Sequence, residues 1–202
     1  MTYKEIKRRV LEHINRASIA GSEVSPAYNC QSDDLMRIPG LINEAVVSIR
    51  TLARPEIGVF VPKEGESMYG MRKYDLPEDY RSMKGGGVYQ VKDGRMEGFG
   101  GWRLFGSRAI LLPEGEFLVE YCRYPDLLPE DPDEDFDYIQ DVEVLYAAIY
   151  YAAANLVMME DEFVYSALMR DYENRFARMI TPVACTTGSV GDMYASFGGD
   201  GL

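Results

Sequence analysis

Val88-Tyr89-Gln90-Val91-Lys92-Asp93-Gly94-Arg95 is the stretch on which the fold turns. Valines alternate with an aromatic and an amide, as a half-buried strand requires, and Asp93-Gly94 is the pair that a tight hairpin turn prefers. Further along, Phe117-Leu118-Val119-Glu120-Tyr121 makes a second such run, and Pro113-Glu114-Gly115-Glu116 a second turn. Twelve of the 19 glycines fall within residues 55–125. Strands are expected near 88–92, 95–99, 102–105, 108–112 and 117–123, forming one small antiparallel sheet entered through Leu76-Pro77-Glu78-Asp79-Tyr80. Gly85-Gly86-Gly87 and Gly98-Phe99-Gly100-Gly101 lack phosphate-loop spacing and open no helix, so they read as hairpin bends or a mobile sheet edge.

The periodicity changes on either side. Ile6, Val10, Leu11 and Ile14 fall at helical spacing, with Lys4, Lys7, Arg8, Glu12 and Arg16 outside the stripe. Gly21-Ser22-Glu23-Val24-Ser25-Pro26 breaks that helix, and Ser32-Asp33-Asp34 offers a cap for the next. Pro39 stands where a helix could restart, before the stripe Leu41, Ile42, Ala45, Val46, Ile49 and Leu52. A third helix, about 137–160, is expected to bury Ile139, Val142, Leu145, Ile149, Ala152, Ala153 and Leu156. A fourth, about 162–180, presents Phe163, Ala167, Leu168, Tyr172, Phe176 and Met179, and Pro182 closes it. Tyr146, Tyr150 and Tyr151 lie on more than one side of the third helix, which is therefore buried on several sides or meets another chain.

The expected fold is α+β: mainly a helical bundle of about four helices with an inserted small antiparallel β-sheet and a flexible C-terminal tail. Its parts are residues 1–54, the β-rich 55–125, the acidic loop and closing helices of 126–182, and a Gly, Ser and Thr-rich arm, 183–202. Val190, Met193, Tyr194 and Phe197 are isolated apolar residues in that arm, suited to ordering on a partner.

The 202 residues carry 33 acids against 21 Lys and Arg, a net charge of −12. Such a chain should not bind nucleic acid through a general basic surface, nor lie on an anionic membrane. Cys30, Cys122 and Cys185 suit buried or free thiols better than a disulfide framework or zinc site, and the single histidine, His13, removes any mechanism needing two imidazoles. No leader is visible at the N-terminus, and Val142–Met159 reads as a buried helix, so a soluble protein made in the cytoplasm is expected.

Nine acids and no Lys or Arg lie in residues 126–143. The alternation Asp131, Asp133, Asp135, Asp137 invites a calcium-loop reading, but Phe136 stands where glycine is needed and Val142 where the bidentate glutamate belongs. A solvated loop whose acids favour the start of the following helix fits better. A hydrolase using these carboxylates would need them to line a pocket that raises one pKa. No cofactor, metal set or catalytic constellation is expected.

Taken in order, Tyr3-Lys4-Glu5-Ile6-Lys7, Val10-Leu11, Ile14-Asn15, Asp33-Asp34-Leu35 and Ile38-Pro39-Gly40-Leu41-Ile42-Asn43-Glu44-Ala45 resemble the opening of head-to-tail adaptor (connector) proteins of tailed phages. Tyr74-Asp75-Leu76-Pro77-Glu78-Asp79-Tyr80 is similar to their entry into an inserted sheet, and Glu120-Tyr121-Cys122-Arg123-Tyr124-Pro125, an acidic stretch and two closing helices also fit. The resemblance implies a helical bundle with a β insertion, assembled as a dodecameric homo-oligomeric ring in the virion neck. It further implies docking on the portal protein, attachment of stopper or tail proteins, and DNA passing through without sequence-specific binding. Another neck ring, a stopper or a gate protein, shares that logic. Asp131, Asp133, Glu134, Asp135 and Asp137 are the candidate channel-facing acids, because an acidic lumen repels phosphate.

Overall fold

The computed structural model describes residues 1–14 and 29–180, apart from the side chains of 29–33. Within them the chain runs α1 (Tyr3–His13), α2 (Asn29–Leu52), β1 (Glu56–Phe60), β2 (Glu66–Met68), β3 (Met71–Asp75) and β4 (Tyr80–Lys92). It continues through β5 (Arg95–Gly98), β6 (Arg103–Phe105), β7 (Ala109–Leu112), β8 (Glu116–Arg123), α3 (Val142–Val157) and α4 (Glu162–Ile180). The strands make two antiparallel sheets of four, ordered β1-β8-β4-β5 and β2-β3-β7-β6.

This corrects the expected fold class. The chain is a sheet-rich α+β protein rather than a mainly helical bundle with one small inserted sheet. The physical reason is that the β region buries its own core. Tyr74, Ile110 and Leu112 from one sheet face Val88, Phe117 and Val119 from the other, with Leu76 beside them and Phe60, Tyr80, Met83, Phe99 and Trp102 around the margin. Two four-stranded sheets with apolar inner faces stabilise one another, where a single exposed sheet would not. Gly85-Gly86-Gly87 is not a hairpin bend. It is an irregularity inside β4, where Met83 pairs with Tyr121 and Val88 with Val119, so the glycines bulge out of the ladder.

The helices enclose a separate core. α3 runs through its middle, with Ala147, Ala148, Ile149, Ala152, Ala153 and Ala154 all buried. Its alanines have nothing beyond Cβ, so neighbouring helices approach closely. Ile6, Val10 and Leu11 of α1, Ile38, Ile42, Ala45, Val46 and Ile49 of α2, and Leu168 of α4 fill the rest. The tyrosines of α3 meet two helices on different sides: Tyr146 contacts Arg9 and Tyr150 packs on His13 of α1 at 4.4 Å, and Tyr151 packs on Tyr172 of α4 at 5.2 Å.

Local expectations are corrected too. α2 begins at Asn29, so Ser32-Asp33-Asp34 lies inside it, and Pro39 is an interior residue rather than a restart. α3 begins at Val142, and Ile139 and Val142 are 81% and 65% exposed rather than buried, because Asp141 caps the helix by accepting from Glu143 N–H at 3.0 Å. Phe163 is also exposed, just after Asp161, which caps α4. The tail residues Val190, Met193, Tyr194 and Phe197 lie outside the described residues.

His13 supplies a pH prediction. Burial, the largest cause, lowers its pKa, Glu12 and Asp171 oppose that, and Arg175 and Arg9 add to it. The folded chain therefore holds His13 neutral at pH values where the unfolded chain, with an imidazole near 6.5, takes up a proton. The stability conferred by the neutral form is present above pH 6.5 and lost as pH falls toward the lower folded value. Melting temperatures of wild type and His13→Gln should differ in slope only below about pH 6.5; parallel curves across pH 5–8 would refute this assignment.

Candidate functional site

The acidic stretch of residues 126–143 joins the sheets to α3 and crosses the helices as a strap. Three apolar anchors seat it: Leu128, Pro132 and Tyr138 are buried, and the acids between them point outward. Asn43 of α2 clamps it with two hydrogen bonds, donating from Nδ2 to Leu128 O and accepting from Leu128 N–H, both at 2.8 Å. That pairing satisfies both the N–H and the C=O of Leu128, which lie against a helix and so have no ladder partner. Tyr138 OH and Gln140 Nε2 donate to Asp126 O at 2.9 and 3.1 Å, and the largely buried Arg50 donates to Gln140 Oε1 at 3.0 and 3.3 Å.

The strap also completes α1. The first N–H groups of a helix have no partner within it. Here Tyr3 N–H donates to Phe136 O at 2.9 Å and Lys4 N–H to Glu134 O at 3.0 Å, while Tyr138 N–H donates to Met1 O at 3.0 Å. The Glu134 carboxylate reaches Lys7 at 2.9 Å and Lys4 at 3.3 Å, and hydrogen bonds from these two lysines, Lys7 foremost, hold its pKa below the ordinary value. Burial first, and the charge of Asp131 second, push the Tyr3 phenol up to about 12.

The nine acids thus divide. Asp126 pairs with Arg123 at 3.1 Å, Glu134 with Lys4 and Lys7, Asp137 with the Met1 amine at 2.9 Å, and Asp141 and Glu143 with Arg54 at 3.1 and 3.6 Å. Glu130, Asp131, Asp133 and Asp135 have no cation among the described residues within ion-pair distance, and all four are exposed. The run lacks its own Lys and Arg, yet neighbouring Arg123 pairs with one of its nine acids and distant residues of the chain with four more. No spacing rule reveals those pairings, because Lys4, Lys7 and Arg54 lie more than eighty residues away in sequence. Asn43 was equally invisible, standing among apolar residues with no signal of its role.

Glu130, Asp131, Asp133 and Glu134 form one wall of an open groove of about 560 Å³, and Leu35, Met36 and Pro39 of α2 form another, with Tyr3 and Lys7 at its end. A hydrolase would need a carboxyl with a raised pKa there. Glu134 is moved the opposite way, which suits a structural ion pair. Among the described residues no cluster of His, Cys, Asp or Glu is arranged to hold a metal ion, and no helix is long and apolar enough to cross a membrane.

The strap thus ties α1, α2 and α3 together while presenting acids without a cation partner among the described residues, an arrangement suited to contact and positioning. A comparison with curated proteins returns no match. The family model of the SU10 adaptor protein matches residues 1–193, nearly the whole chain, and with that coverage the chain belongs to the SU10 adaptor protein family, structural adaptor proteins of phage virions.

Proposed function

We propose that the protein is a head-to-tail adaptor: a homo-oligomeric, dodecameric ring that docks on the portal protein, extends the DNA channel and offers the attachment surface for the next neck or tail component. The family match over residues 1–193 is the observation that carries this reading. Physical features support it. The helical unit is closed by the strap, which gives a ring stiff segments, and the β sandwich is a second compact lobe able to face a different neighbour. Acids bordering the bore, drawn from Asp131, Asp133, Glu134, Asp135 and Asp137, would keep phosphates from adhering. The apolar Val190, Met193, Tyr194 and Phe197 would serve as anchors on the portal or on the next neck protein.

The test is biochemical. Purified virions should contain the protein in stoichiometric proportion to the portal, and heads that lack it should fail to join tails. Virions without the protein, or tail joining in its absence, would reject the adaptor reading.

A further inference from the structure

The β6–β7 hairpin has a tip that none of the described residues covers. Residues 98–113 include no acid. Arg103 and Arg108 meet no carboxylate among the described residues, although the whole chain has twelve more acids than bases. Leu104 and Phe105 stand between them, 45% and 43% exposed. β6 is the edge of its sheet, paired only with β7.

The groove beside the strap is its complement. Its apolar wall is Leu35, Met36 (69% exposed) and Pro39. Glu130, Asp131 and Asp133 on the facing wall have no cation of their own among the described residues. Its roughly 560 Å³ falls within the range of about 300–1,000 Å³ typical of sites that enclose a small ligand, enough for two large side chains.

We propose that the groove of one copy receives the β6–β7 hairpin of a second copy. Phe105, which shares the outer face of β6 with Arg103, lies against Leu35, Met36 and Pro39, Leu104 on the opposite face borders the lip of the groove, and Arg103 and Arg108 reach Glu130, Asp131 and Asp133. The proposal rests on the ring reading above and names its contact. Charge complementarity selects the occupant: the chain itself supplies both the uncompensated cations and the uncompensated acids, and joining them offsets the repulsion between two acidic subunits. A phosphate backbone would meet an acidic wall and is repelled. Because groove and hairpin are different patches, the contact is heterologous, and successive copies close into a ring when the rotation permits. The strap is then shared: Glu130, Asp131 and Asp133 serve the neighbour, while Asp135 and Asp137, which do not line the groove, are left to the bore.

A charge swap in the full chain, with portal protein present, tests this. Arg103→Glu with Arg108→Glu should lower ring yield at fixed concentration about ten-fold or more, and adding Asp131→Arg with Asp133→Arg should restore it. Unchanged assembly of the first variant, or loss without restoration, overturns the hairpin contact and leaves the ring reading standing. Wild-type protein that forms no ring overturns the ring reading itself, and the proposal with it. A second measurement avoids dependence on the folding of the swapped variants. With p-benzoylphenylalanine in place of Phe105 and a mixture of isotopically light and heavy chains, photocrosslinks should join position 105 of one copy to residues 35–39 or 130–134 of another. Crosslinks confined to one chain, or made to the portal, overturn it.

Discussion

Phe117→Ala is expected to destabilise the β sandwich by about 3–5 kcal/mol, the usual loss for a large aromatic removed from a filled core. Phe117 is 2% exposed and packs on Phe99 with ring centroids 5.2 Å apart, between the inner faces of the two sheets. The sandwich core shares no buried residue with the helical core. The loss should therefore fall on amides of residues 56–123 in hydrogen exchange and leave the protection of α3 nearly intact. Uniform loss over both regions would mean that the two cores fold as one cooperative unit, contrary to this account.

Asn43→Leu is expected to cost about 2–4 kcal/mol, because it leaves both the N–H and the C=O of Leu128 without partners. Leucine is close to asparagine in size, so packing loss contributes little and the effect reports the hydrogen bonds. Exchange protection should fall first across residues 126–140, then in the first turn of α1, whose N–H groups depend on Glu134 O and Phe136 O. A thermal shift equivalent to less than about 0.5 kcal/mol would show that the strap is held by its apolar anchors alone.

Much of this architecture was legible in the sequence, and particular residues show where legibility stopped. Asp93-Gly94 announced the β4–β5 turn, and both residues have positive φ, 50° and 74°. Tyr69-Gly70 makes the same kind of turn between β2 and β3, with φ of 50° and 76°, but tyrosine is not a residue that signals it. β1, β2 and β3 were missed for that reason and because they are short, interrupted by Pro62, Gly65 and Gly70. With three strands unread, the two sheets collapsed into one, and the fold looked more helical than it is. The first half of β4 was hidden by its glycine bulge, where Gly87 lies so close to Glu120 O that a side chain would not fit.

The helices were read more fully because their apolar stripes repeat over many turns. Their ends were less visible: Ile139 and Val142 continue the apolar pattern of α3 toward its start, yet the Asp141 cap fixes the boundary and leaves them in solvent. The acidic strap was visible as composition and not as connectivity. Its acids read as solvated, whereas Glu134 and Asp141 pair with Lys4, Lys7 and Arg54. Pairing of that kind depends on the tertiary arrangement, which no local pattern encodes.

In the proposed ring, copies of this chain lie coaxial with the portal, with the outer acids of the strap beside the bore. Electron microscopy of the purified protein, with and without portal, measures this directly. A closed ring on the portal is expected, with a bore wide enough for duplex DNA and Asp135 and Asp137 at its wall. Protein that stays monomeric on the portal, or a ring whose bore is lined by the β sandwich with the strap on its outer rim, would contradict it.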